Sequence, residues 1–116
     1  TVEEAEAMAR AGADVLVPHM GLTTKGTIGA KTARTLDECV ELIQAMHDRA
    51  KENNPDNLVL CHGGHIAEPE DAAYVLERTH GVVGFFGASS MERLPTEVAI
   101  TETMRRFKSI PARAAG

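Results

Sequence analysis

Three histidines, His19, His62 and His65, each stand just past an apolar run that reads as a β-strand. Imidazole at a strand end can serve as a general acid or base near neutral pH, or bind a metal ion. His62 and His65 flank Gly63-Gly64, and with His19 they offer three nitrogens. The spacing does not fix the geometry a metal site needs, so no metal is assigned. A hydrogen-bonding role beside an anionic ligand fits His19 and His62 better, and these two are the candidate catalytic residues. The second group is Gly87-Ala88-Ser89-Ser90, which follows the apolar run from Gly81 to Phe86. Small residues let the backbone bend sharply and a ligand come close, and Gly87 is expected to need positive φ or close backbone contact. Ser89 and Glu92 have capping-box spacing, which predicts a short helix with its first N–H groups exposed. Such donors, at the positive end of a helix dipole, suit phosphate or carboxylate. Gly63 and Gly64 are expected to turn N–H groups toward the same ligand, so that two loops form one cup. Arg93 pairs either with the anion or, by helical spacing, with Glu97. Glu68, just ahead of Pro69, reads as a favourable end charge. Cys61 adjoins His62, but neighbours on a strand point to opposite faces, so Cys61 reads as a buried thiol.

The elements that position these residues can be read in order. A helix is predicted over 2–11, with Glu3, Glu4 and Glu6 toward its start, Arg10 near its end and Gly12 as its stop. Residues 13–18 form an apolar strand closed by Pro18, and runs of this kind predict a sheet covered on both faces. From His19 to Thr35 no period holds, and a connection this long predicts a lid, over Thr23–Arg34, that is more mobile than the strands. Thr35 and Glu38 then make a capping box for a helix that runs to about Asn53. A strand follows at 57–61, then a helix led by Pro69 that stops at His80-Gly81, then the strand at 82–86. Pro95 is predicted to start a last helix with Val98, Ala99, Ile100, Met104 and Phe107 facing inward. Residues 111–116 read as a flexible tail.

The chain has 116 residues, 43% hydrophobic and 25% charged, with a formal net charge of -5. That is the composition of one folded domain. With no tryptophan, one tyrosine and no basic run, nothing suggests a nucleic-acid surface. No apolar stretch approaches the roughly 20 residues that cross a bilayer, and two cysteines without metal-type spacing predict a reduced, cytoplasmic protein. The chain opens Thr1-Val2-Glu3, already helical, and is expected to be part of something longer.

Strands alternating with helices imply an α/β fold with right-handed crossovers and parallel pairing. Three such strands leave two exposed edges. The expected architecture is therefore the C-terminal portion, the last three strands, of a (β/α)8 TIM barrel, occupying residues 1–110. Glycines and serines gather after the strands, where such a barrel keeps its active site, and its phosphate site follows the last two strands.

The segments His19-Met20-Gly21-Leu22-Thr23-Thr24, Ile28-Gly29-Ala30, Cys61-His62-Gly63-Gly64, Glu68-Pro69-Glu70-Asp71-Ala72 and Gly84 through Glu97 carry a resemblance. They are similar to the phosphoenolpyruvate hydrolase-like TIM-barrel family, which also supplies the C-terminal domain of Tm-1-like proteins. In that family the position of His65 is commonly proline, so no role for His65 follows from it. The resemblance implies a small phosphorylated or carboxylated ligand, with phosphate at Gly63, Gly64, Gly87, Ala88, Ser89, Ser90 and Arg93. Two functions are implied: an enzyme acting on a phosphorylated enol or keto acid, or a non-catalytic ligand-binding domain. The expected partners are the remainder of the barrel and a second copy of the chain, with no nucleic acid and no membrane.

Overall fold

Thr1 and Glu4 close a capping box at the head of helix α1 (Val2–Arg10): the Thr1 hydroxyl accepts from the Glu4 N–H, and the Glu4 carboxylate accepts from the Thr1 amine. Gly12, at φ +87°, lies just past its end. Helix α2 (Leu36–Asn53) begins with the same device, built from Thr35 and Glu38. Helix α3 (Pro69–Arg78) has proline at its first position, and the Asp71 carboxylate accepts from the Ala67 and Glu68 N–H groups. Thr35→Ala is expected to cost about 1 kcal/mol, the usual worth of an N-cap hydroxyl, measured by thermal unfolding of the full-length protein.

The computed structural model describes residues 1–26 and 35–112. Within them the strands are β1 (Val15–Leu16), β2 (Leu58–Cys61) and β3 (Val82–Phe85). All pair in parallel, in sequence order. The first strand is shorter than the expected 13–18, because Val15 and Leu16 alone hold ladder pairs with β2. Val82 pairs with Val59 and Gly84 with Leu60, so Val83 is one residue extra and β3 carries a bulge. Ile43, Met46 and Ala50 of α2 pack with Val59 and Cys61 of β2, Val75 of α3, and Ala5 and Ala9 of α1. Val82 and Phe85 lean on this core although they are three residues apart, which the bulge permits.

Helices cover only one face of the sheet among the described residues. Val15, Leu58 and Val83 open on the other, so the expected cover on both faces is not present. The end of the chain departs further. Residues 89–92 are turns rather than a short helix, and helix α4 (Arg93–Lys108) runs unbroken through Pro95. Proline is tolerated there because the first turn of a helix leaves its N–H groups without intrahelical acceptors. Glu92 is the N-cap, with no side-chain cap bond, so the Ser89–Glu92 capping box does not form.

The inward face expected on α4 is also absent. Leu94 is its buried residue, whereas Val98, Ile100, Met104 and Phe107 are all more than half exposed. The molecule measures 77 × 23 × 23 Å, and the 16 residues of α4 account for about 24 Å of helix. The lid expectation falls partly on residues 27–34, outside the described residues, as do residues 113–116 of the tail.

Candidate functional site

Beyond their last ladder pairs, β1 and β2 keep the same register. The offset that sets Leu16 beside Val59 also sets His19 beside His62 in an isolated bridge. The two imidazoles meet edge to face, with centroids 4.6 Å apart and planes at 85°. Phe86, just past β3, meets His62 in the same manner at 5.1 Å and 81°. Three rings therefore stand in a row across the C-terminal ends of three parallel strands.

Each histidine is fixed through Nδ1. The Gly21 N–H donates to His19 Nδ1 at 3.1 Å, while His62 Nδ1 lies 2.6 Å from the Phe86 carbonyl oxygen. Burial holds the His62 pKa below the ordinary histidine value; the Phe86 carbonyl opposes this shift, and the neighbouring His19 ring, which disfavours a second positive charge beside it, adds to it. Cys61, one residue earlier, is wholly buried, and burial pushes its thiol up to about 11. It is no nucleophile at neutral pH.

The loops that follow β1 and β2 are stitched together. Met20 N–H donates to the His62 carbonyl at 2.9 Å, Gly64 N–H to the Gly21 carbonyl at 2.7 Å, and Thr24 N–H to the Gly64 carbonyl at 3.3 Å. Gly63 and Gly64 have φ of +79° and +64°. A Cβ on Gly63 would sit 2.6 Å from the Gly21 oxygen, and one on Gly64 2.7 Å from the Met20 oxygen. These glycines are thus required by the approach of a neighbouring backbone. Gly64 N–H is already committed to Gly21, and Gly63 is bridged in antiparallel fashion to Ile66.

His65 lies with the loop instead of the ring row, its Nδ1 3.3 Å from Thr24 Oγ1. Lys25 bonds Asp71 at 3.2 Å and lies 4.0 Å from Glu68. Burial raises the Asp71 pKa, but the Glu68 and Ala67 N–H groups and Lys25 outweigh it, and the carboxyl is held below its usual range. Arg93 pairs with Glu97 at 2.7 Å and also donates to the Lys25 carbonyl at 3.3 Å. Of the two partners expected for Arg93, the helical one is engaged.

The turn after β3 is ordered by its own backbone. The Ala88 carbonyl accepts from Met91 and Glu92, and the Ser89 carbonyl from Arg93 and Leu94. The N–H groups of Gly87, Ala88, Ser89 and Ser90 have no acceptor among the described residues. Of the positive φ or close backbone contact expected of Gly87, the positive φ is absent; a Cβ there would meet the Met91 and Phe85 side chains at 2.9 Å. What crowds this position is side chains, of which the exposed Met91 is able to move aside.

Thr24, Lys25 and Phe86 are the site residues that sequence reasoning missed. Threonine and phenylalanine carry no motif here, and Lys25 finds Asp71 only because the fold brings two distant loops together. No three His, Cys, Asp or Glu side chains among the described residues lie close enough to hold one metal ion. Hollows of about 300 and 460 Å³ reach His19 from the α1 side of β1, away from the 87–90 turn. No described helix is long and apolar enough to cross a membrane.

The sequence profile of a family described as phosphoenolpyruvate hydrolase-like matches residues 1–110. The chain is 64% identical over 108 residues to the ToMV susceptible protein tm-1(GCR26) of Solanum lycopersicum, covering 93% of this chain. It is 63% identical over 108 residues to the ToMV resistance protein Tm-1(GCR237) of the same plant, again covering 93% of this chain. The y4pA protein of Sinorhizobium fredii is 29% identical over 110 residues, covering 95% of this chain and 18% of its own length. The chain spans 14% of the length of each Solanum lycopersicum relative. Matched over residues 1–110, the chain belongs to the phosphoenolpyruvate hydrolase-like family.

Proposed function

We propose that residues 1–110 are the last three βα units of a (β/α)8 barrel whose site binds a small phosphorylated enol or keto acid. Three parallel strands in sequence order, open at the β1 edge and bare on one face, support that architecture, since a closed barrel would cover both. The observation that carries the ligand is the run of four consecutive N–H groups, Gly87 to Ser90, without acceptors among the described residues. It lies one residue beyond the ring that touches His62. Backbone donors in such a run suit a phosphate. Gly63 and Gly64 wall the cup on the β2 side, and Arg93 joins it on exchanging a present partner for the anion.

His19 and His62 face the ligand as the proton-handling pair. Calorimetry of phosphoenolpyruvate binding to the full-length protein tests the reading. Ser90→Ala is expected to weaken binding by about 1.5–3 kcal/mol, the worth of one hydroxyl bond to a charged group. An unchanged affinity would remove Ser90 from the site.

A second reading is a ligand-binding domain without catalysis. It is favoured by the burial of Cys61, the thiol nearest His62, and by relatives named as a ToMV susceptible and a ToMV resistance protein. Binding of phosphoenolpyruvate without turnover is its expected signature. The full barrel and a second copy of the chain are the proposed partners, because α4 leaves Ile100, Met104 and Phe107 uncovered.

A further inference from the structure

We propose that His19 and His62 are held in opposite tautomers, so that the site presents one fixed hydrogen-bond donor and one fixed proton acceptor side by side. The assignment follows from what lies at each Nδ1. A carbonyl oxygen only accepts, so the 2.6 Å approach of the Phe86 oxygen requires hydrogen on His62 Nδ1. Neutral His62 then has a bare lone pair at Nε2. A backbone N–H only donates, so the Gly21 N–H at 3.1 Å requires a lone pair on His19 Nδ1. Neutral His19 then carries its hydrogen at Nε2. Neither ring is free to exchange roles, because the groups that set them belong to the backbone. The register of β1 and β2 and the edge-to-face packing keep the rings adjacent.

This division rests on the site proposed above and narrows its ligand. His62 Nε2 takes a proton from an O–H, an acidic C–H or a water, and becomes imidazolium. The electron pair released moves toward an oxygen of the ligand. His19 Nε2–H donates a hydrogen bond to that oxygen and keeps its proton, since a neutral imidazole polarises without ionising. The fitting ligand is one in which a carbonyl or enol oxygen lies next to a labile proton, as in an enolisable 2-keto acid. His62 is suited to its part, because burial keeps it unprotonated below the ordinary histidine range.

Long-range proton–nitrogen spectra of the full-length protein, labelled with nitrogen-15 histidine, read both tautomers directly. His19→Gln and His62→Gln proteins assign the signals. The expected result at neutral pH is Nδ1–H on His62 and Nε2–H on His19, with His62 titrating below a solvent-exposed histidine. Nε2–H on His62 or Nδ1–H on His19 overturns the proposal. No ligand enters this measurement, so failure of phosphoenolpyruvate to bind would count against the ligand and not against the tautomers.

Discussion

An Ala88→Asp protein should fold normally and lose its affinity for phosphorylated ligands by roughly a hundredfold or more, as expected when charged hydrogen bonds worth about 1.5–3 kcal/mol each are lost and a like charge is set beside the anion. Ala88 is exposed, so the new side chain disturbs no packing. Its carboxylate would stand among the N–H groups of Gly87 to Ser90, occupy the donors proposed to hold the phosphate and repel that anion. Calorimetry with phosphoenolpyruvate, alongside a circular dichroism check of folding, decides the matter. Unchanged affinity in folded Ala88→Asp protein would place the anion site elsewhere and reduce the 87–90 segment to a turn.

Gly64→Val is the second large effect, and it acts on the histidines without touching them. At φ +64° a β-branched residue is strained, and its Cβ would come within 2.7 Å of the Met20 oxygen. Backbone strain and overpacking together cost on the order of 3 kcal/mol. The loops relieve this by separating, which breaks the Gly64–Gly21 and Met20–His62 backbone bonds. His19 then leaves its register with His62. The expected outcome is a lower midpoint in thermal unfolding together with loss of ligand binding. A Gly64→Val protein with unchanged stability would show that these loops are not held as described.

Where local chemistry sets an element, the sequence was readable. Thr35 with Glu38, and Pro69 with Asp71, mark two helix starts, and both helices begin there. What failed was the inference of burial from apolar character. In α4, Val98 and Ile100 are two residues apart, so at 100° per residue they point to nearly opposite sides. No single face could have buried both, and the helix stands clear of the core. On β3, simple alternation cannot bring Val82 and Phe85 to the same side. That takes the extra Val83, which no residue type announces.

The candidate site divides in the same way. That His19 and His62 follow strand ends was legible. That the Phe86 carbonyl reaches His62, or that Lys25 meets Asp71, depends on register and loop closure between distant segments. The glycines stand where the backbone or a neighbouring side chain comes close, for reasons that residue type alone does not announce. Gly64 lends its N–H to a neighbouring loop, and Gly87 makes room for Met91 and Phe85.

The burial of Cys61 makes this strand its own clock. With the thiol pushed up to about 11, only about one molecule in a thousand carries a thiolate at pH 8. Solvent does not reach the sulfur in the folded chain, and Cys39 is equally enclosed. A thiol reagent therefore reacts with Cys61 only when β2 comes away from α2, and the labelling rate counts those openings. A ligand bound at the proposed site should lengthen the interval between them. Occupancy of the proposed site would then be read through an atom set apart from it, on the buried side of β2.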